Sequence, residues 1–370
     1  MLTAGKALFY TCIVAKRLVA YLNEVHRINL PRIVLLGKGV LESIAEVFGE
    51  LGLKRPLIVT GENTYSIAGE RVEEILGEAG LVPEVLFCKK ADLDTVYKVK
   101  NSAQIRNADV VVGVGGGRTI DVAKLSAYQS NAFFISVPTT ASHDGIASSS
   151  ASIKGSGKPY SLKANPPLAV IADSQIIAES PYRFTASGCG DVIGKSVSVQ
   201  DWRLAHEDNG EYYGEYASSL ALMSSRLIMR NAELISENKE AGVRTLLEAL
   251  VSCGVSMSIA GSSRPCSGSE HLFSHTLDII APGAAMHGEQ CGVGSIMMAK
   301  LHGLDWESIR SGLEKIGAPT TAKALNISPE ILVKALVTAR ETRPDRYTIL
   351  DKINLTKSSA WKLAEDCGVI

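Results

Sequence analysis

The stretch VVVGVGGGRTIDVAK, Val110–Lys124, places four glycines between a run of valines and a helical pattern. A compact β-branched run reads as a strand buried on both faces. Glycine lets the backbone turn tightly and approach a ligand with no Cβ in the way. The helix that follows offers unpaired N–H groups and a positive dipole end to a phosphate. Strand, glycine turn and helix in that order predict a dinucleotide-binding α/β unit. Two named motifs are absent: GxGxxG would need glycine where Arg118 stands, and GK[ST] does not occur. On this stretch alone, a glycine turn holding no ligand stays open.

The same alternation extends on both sides. RIVLLG (Arg32–Gly37), PLIVTG (Pro56–Gly61), EVLFC (Glu84–Cys88), FFISVPTT (Phe133–Thr140) and LAVIAD (Leu168–Asp173) are short apolar runs that read as strands. Helical patterns separate most of them; Leu41, Ile44, Phe48 and Leu51, for example, fall three and four apart. SIKGSGKPYSLK reads as a hairpin. Strands alternating with helices predict a parallel sheet. Beyond Pro181 the long segments around GEYASSLALMSSRLIMR, EAGVRTLLEALVSCGVSMSIAG and WESIRSGLEKIG keep helical period with few strand candidates. The expected fold is therefore α/β: a Rossmann-like parallel-sheet domain over residues 29–180, an all-helical domain over 181–370, and an active-site cleft between them.

Composition bounds the function. At 370 residues, 46% hydrophobic and 21% charged, the chain can bury two ordinary cores. A net charge of −1 offers no general attraction to nucleic acid or to an anionic membrane, so an anionic ligand needs a local site. The seven cysteines form no CxxC pair, which predicts reduced thiols and a cytoplasmic location. No apolar run reaches the roughly 20 residues of a spanning helix, so no membrane insertion is expected. Residues 1–28, with the apolar ALFYTCIVA (Ala7–Ala15) followed by KR rather than a cleavage pattern, read as a peripheral extension or as translation from an upstream start.

GSEHLFSHTLDIIAPGAAMHGEQ, Gly268–Gln290, holds three of the seven histidines. His271 and His275 share a helix face, and His287 follows a Pro282–Gly283 break. A catalytic zinc commonly takes three ligands from histidine and carboxylate and keeps a fourth position open. Spacing leaves two choices, His271 with His275 or His271 with His287. Asp191, in SGCGDVIGK, is the most plausible carboxylate, with a helix expected after it. Cys189 is a competing soft ligand. The loop PTTASHDGIASSS (Pro138–Ser150), rich in small hydroxyls, suits a dinucleotide wrap beyond the strand ends. Lys163, Lys195 and Arg264 are candidate phosphate cations only by their closeness to these motifs.

Taken in order, GGGRTIDVAK, PTTASHDG, GCGDVIGK, EHLFSH and MHGEQ resemble the metal-dependent glycerol dehydrogenase and dehydroquinate synthase-like superfamily over about residues 29–370. Within it they resemble the archaeal branch that makes sn-glycerol 1-phosphate for ether phospholipids. The resemblance implies NAD(P)H-dependent, reversible reduction of dihydroxyacetone phosphate, with one Zn2+ per subunit. It implies that Gly117, Arg118, Thr119, Ile120 and Asp121 hold the dinucleotide phosphates. Thr139, Thr140, Ala141, Ser142 and Ser148 would line the rest of the cofactor. It implies Asp191, His271 and His287 as metal ligands, and Asp144, Asp191 and His275 as substrate contacts, with His275 relaying a proton. Asp121 is expected to support the glycine-loop helix rather than to react. A homo-oligomer acting on a small-molecule substrate is expected. The alternatives are a glycerol or small-polyol dehydrogenase, a lyase of the dehydroquinate synthase type, and a non-catalytic nucleotide sensor. The lyase pattern GGGxxGD is not met, and all three metal-ligand candidates are present, which disfavours the sensor.

Overall fold

The computed structural model describes residues 28–155, 158–237 and 239–370, without the side chains of 154–161. The extension expected over residues 1–28 thus lies outside the described residues except for Ile28.

Six parallel strands form one sheet in the order β1-β8-β5-β4-β2-β3, with β1 Ile33–Gly37, β2 Pro56–Thr60, β3 Glu84–Phe87, β4 Val110–Gly115, β5 Phe133–Pro138 and β8 Ala169–Asp173. Every expected strand is present within a residue or two. The expected hairpin is the antiparallel pair β6 (Ser150–Gly155) and β7 (Lys158–Lys163). Side-chain alternation explains why both faces are covered. Val110, Val112 and Val114 join Ile58, Ile135 and Val137 on one face, against helices α1 (Ile44–Leu51) and α2 (Glu70–Glu78). Val111, with Leu57, Val59 and Phe134, faces α3 (Leu93–Ile105) and α4 (Gly117–Ser130) on the other. Each such valine or isoleucine, fully withdrawn from water, contributes about 1.5–3 kcal/mol of transfer free energy.

The chain runs outward from β2 to β3 and then returns to place β4 on the other side of β2. That reversal opens a crevice beyond the carboxyl ends of β2 and β4, where open parallel sheets bind ligands. The glycine turn Gly115–Gly117 lies there.

The helical half holds α5 (Tyr182–Ile193), α6 (Lys195–Asn209), α7 (Glu215–Arg230), α8 (Glu240–Ala260), α9 (Ser269–Ile280) and α10 (His287–Leu301), followed by α11 (Trp306–Ile316), α12 (Pro329–Thr338) and α13 (Lys357–Asp366). Among the described residues α8 alone is long and apolar enough to cross a membrane. Leu246, Leu247 and Leu250 on it are buried in the protein's largest core, so it is accounted for as a core helix. That core does not stop at the sheet: Ala141, Ile146, Ala147, Val170, Ala172 and Ile177 belong to it.

Candidate active site

Asp191 lies inside α5, whereas a helix was expected only after it; SGCGD is itself helical. His287 is the first residue of α10. The two helices cross with their backbones in contact. A Cβ on Gly190 would lie 2.3 Å from the Gly288 carbonyl oxygen, and one on Gly288 would lie 1.9 Å from that of Ser187. Only glycine permits this approach. Arg183 on α5 and Glu289 on α10 close the same corner through a two-point ion pair at 2.6 and 2.8 Å, and Glu289 also accepts from the Met286 N–H that opens α10. Helix α9 brings His271. Its first turn is tied down by buried Asp201, which accepts from the Ser269 N–H and hydroxyl and from the Ile349 N–H.

These three helices bring together Asp191, His271, His287 and Cys291, with one potential ligand atom from each lying within 4.8 Å of the others. His271 Nε2 is 3.6 Å from Asp191 Oδ1. His275 stands beside the group, its ring 6.2 Å from that of His271 and 5.9 Å from that of His287. The cysteine in the cluster is Cys291, not Cys189, whose thiol is buried in the core with its pKa pushed far up by that burial.

The donor set fits a divalent cation because the far side of each imidazole is already committed. His271 Nδ1 is 2.6 Å from Glu270 Oε1; a buried carboxylate at that distance accepts the hydrogen bond from Nδ1–H, which leaves the lone pair of Nε2 free to bind a metal. His287 Nδ1 pairs with the Ser274 hydroxyl at 2.9 Å, and that hydroxyl donates to Gln290 Oε1 at 2.6 Å. Burial, aided by the neighbouring imidazole of His271, holds the His287 pKa well below the ordinary histidine value and lowers that of His275 to about 3. Both rings are therefore neutral near neutral pH, which is the ligating and hydrogen-bonding form. The His275 Nδ1 is buried with no partner in the protein.

Lys195, one turn beyond Asp191, is fully buried. Its ammonium reaches Asp191 Oδ1 at 2.6 Å and the Cys266 carbonyl at 3.0 Å, and lies 2.8 Å from Asp144 Oδ2 without the alignment of a hydrogen bond. Burial opposes its charge, but the two carboxylates overcome this and raise its pKa well above the usual lysine value. Burial likewise opposes the charge of Asp191, yet the Lys195 ammonium beside it holds its carboxyl well below the ordinary range. The Asp144 N–H donates to Asp191 Oδ2 at 2.9 Å, fixing the Asp144 loop against the cluster. Lys195 is thus internal to the site and not a surface cation. Arg264 is also buried, paired with Glu211, and Lys163 is exposed.

From this cluster a cleft of about 430 Å³ runs to the glycine turn. Gly117, Arg118, Asp121, Asp144, Ser148, His271, His275 and His287 line it. Thr119, Ile120, Thr139, Thr140, Ala141 and Ser142 do not form its wall. The Ile120 side chain is in the sheet core and its N–H is taken by the Gly116 carbonyl; Ala141 is buried against Gly188. The Thr139 and Thr140 hydroxyls are buried beside the glycine turn without a hydrogen-bond partner. Asp121 takes the Ser152 N–H at 3.1 Å and lies 3.4 Å from Lys124 Nζ, a supporting position.

Several residues were not legible as site components. Lys124, wholly buried, donates to the Gly145 and Ser150 carbonyls at 2.6 and 2.7 Å and fastens the second loop onto α4. His143 accepts the Gly145 N–H on Nδ1 at 2.9 Å, and its Nε2 lies against Gly117 and covers the glycine turn. Glu270 adjoins His271 in sequence, but adjacent helical positions diverge by about 100°, so adjacency carried no signal of pairing. Replacing Glu270 with glutamine is expected to weaken retention of a divalent ion about 10- to 100-fold, measured by competition with a chromogenic chelator.

Residues 35–181 match the family described as iron-containing alcohol dehydrogenase. A glycerol-1-phosphate dehydrogenase [NAD(P)+] from Thermococcus sibiricus is 51% identical over 93% of this chain and 99% of its own length. One of the same name from Methanosarcina mazei is 51% identical over 94% of this chain and 98% of its own. Among solved structures, a probable glycerol dehydrogenase from Sinorhizobium meliloti superposes with a TM-score of 0.75 at 22% identity, covering 93% of this chain and 98% of that one.

Proposed function

We propose, from the premise that this chain belongs to the glycerol-1-phosphate dehydrogenase family, that it reduces dihydroxyacetone phosphate reversibly to sn-glycerol 1-phosphate at the expense of NAD(P)H. One observation carries the reading: a carboxylate and two imidazoles converge at one end of a cleft whose other end is a glycine turn at the switch point of a parallel sheet. In this reading residues 29–180 serve the dinucleotide and 181–370 the metal and substrate. The curated relatives' names and the free, buried cysteines among the described residues support an oxidoreductase of the cytoplasm. Its product would serve archaeal ether phospholipids.

Asp191, His271 and His287 would hold one divalent ion, which we take as zinc because two imidazoles and one carboxylate suit it; burial pushes the Cys291 thiol pKa well up, so the fourth neighbour stays protonated and leaves a position open. The bound ion would polarise the ketone, and the dinucleotide would supply hydride to C2. The protein's own groups do the rest. Asp144, held by its N–H to Asp191, orients a substrate hydroxyl. His275, neutral and with a buried Nδ1 lacking a partner, hydrogen-bonds the substrate and hands on the proton that the reduced oxygen takes up. Lys195 keeps the Asp191 carboxylate ionised. His143, Arg118 and Ser148, on the cleft wall, hold the cofactor's phosphates and ribose at the glycine turn, so the nicotinamide presents one face. Tyr216 and Met223, 72% and 59% exposed one above the other on α7, offer a face for a second copy, a homo-oligomer that light scattering would measure.

The test follows nicotinamide oxidation with dihydroxyacetone phosphate and, in parallel, with dihydroxyacetone, then resolves the product on a chiral phase. The phosphorylated ketone as preferred substrate and sn-glycerol 1-phosphate as product are expected. Preference for dihydroxyacetone would favour the polyol dehydrogenase alternative. Metal analysis of the purified protein decides between zinc and iron.

A further inference from the structure

The substrate proposed above carries a phosphate at the end remote from the reacting carbonyl, and a dianion in a cleft needs a cation to receive it. The lysine and arginine side chains in the cleft wall are Lys89, Lys90 and Arg118 on the sheet side and Arg343 on the helical side. Arg118 belongs to the glycine turn itself, and Lys89 and Lys90 follow β3 on the sheet side, with Lys89 already 3.0 Å from Glu62. Arg343 opens onto the same wall as Ser263, Ser267, His275 and Asp278. It follows the 3-10 turn Ala339–Thr342, which packs on α9, the helix that bears His271 and His275. Its ion-pair partner is Asp345, a 3.4 Å contact to a carboxylate that is 72% exposed, so little competes for the guanidinium.

Behind this wall lies a second, independent sign of an absent anion. Arg346 is buried, donates to the Ser267 carbonyl and to Ser263 Oγ at 2.9 Å, and has no carboxylate among its ion pairs; its Nε is buried with no partner at all. Because Ser263 Oγ accepts from Arg346, its own hydrogen is left to donate towards the cleft. Arg264 stands nearby with Glu211 as its counter-ion. Burial, with the fields of Arg343 and Arg264, lowers the Arg346 pKa to about 9, as expected where positive charge is packed without matching negative charge.

We propose that Arg343, together with the hydroxyls of Ser263 and Ser267, forms the seat for the phosphate of the substrate, and that Arg346 is a positioning residue that fixes the two serines. The inference rests on the functional reading above and deepens it, since this seat is what separates a phosphorylated ketone from a free one. Guanidinium suits a phosphate because its donors meet two oxygens at once.

In Arg343→Gln, kcat/KM for dihydroxyacetone phosphate divided by that for dihydroxyacetone is expected to fall about 10- to 100-fold, the range for losing hydrogen bonds to a charged group. The loss should appear mainly in KM, with NADH affinity and bound metal unaltered. Phosphite dianion added with dihydroxyacetone should accelerate turnover in the native enzyme and not in Arg343→Gln. Arg343→Lys, which keeps the charge, should recover part of the ratio. Arg346→Met should lower the ratio too, and phosphite activation should weaken with it. An unchanged ratio in Arg343→Gln overturns the proposal, as does phosphite activation that survives the substitution. Should glutamine prevent folding, the native response to phosphite and the Arg343→Lys ratio still decide. A native enzyme that shows no preference for the phosphorylated ketone overturns the functional reading itself, which is a separate outcome.

Discussion

Replacing His287 with alanine should remove both metal retention and turnover while leaving dinucleotide binding close to native. His287 contributes one of three converging donors, and its Nδ1 is anchored through Ser274 to Gln290, so no other imidazole can take its place without moving α9. His275 is the nearest candidate, but its ring stands 6.2 Å from that of His271, against 4.8 Å for the His287 ring. Loss of an electrophile that stabilises developing charge by several kcal/mol corresponds to a fall in kcat of roughly 1,000-fold or more. Metal content by atomic spectroscopy, NADH titration by fluorescence and initial rates would be measured on one preparation. Full activity in this variant, or in native protein stripped of all metal, would remove the proposed chemistry.

Replacing Gly288 with alanine should be nearly as damaging through a different route. The new methyl would stand 1.9 Å from the Ser187 carbonyl oxygen and 2.6 Å from its carbon, both backbone atoms that cannot rotate away. Helices α5 and α10 must part, and Asp191 moves away from His287. Overpacking of this kind costs about 3 kcal/mol, and the metal affinity should fall in parallel. Gly303→Ala is the control. That glycine has φ +70° with nothing within 4 Å of its added methyl, so its cost is limited to the left-handed backbone, about 1–2 kcal/mol, with metal binding unchanged. Chemical denaturation and metal titration of the two variants separate a general loss of stability from a displaced ligand. If Gly288→Ala retained both, the close crossing would have no bearing on the site.

The sheet was legible because its strands are short valine- and isoleucine-rich runs bounded by glycine and proline, and burial on both faces leaves little else for such runs to be. The glycine turn was legible for the same local reasons. What stayed hidden is what depends on tertiary crossing. Spacing left the pairing of His271 with His275 or His287 undecided, since helix geometry places the first pair together and only the fold of Ala281–Met286 brings His287 back. The glycines around Asp191 read as room for close approach; what approaches is the backbone of another helix. Lys195 was indistinguishable from a solvated lysine until two carboxylates met it in the core. Arg343 and Arg346 lie in a stretch with no motif, and the meaning of that stretch comes from Ser263 and Ser267, about eighty residues away.

The core shared by Ala141, Ile146, Ala147, Val170, Ala172 and Ile177 with the long helices has a consequence for recombination. A hybrid enzyme spliced near residue 180 would inherit a cofactor half whose return strand and hydroxyl loop had matured against somebody else's helices. Productive crossovers must keep the segment from Thr139 to Ile177 with its own carboxyl-terminal partner, so the natural unit of exchange in this lineage cuts through the sheet instead of beside it.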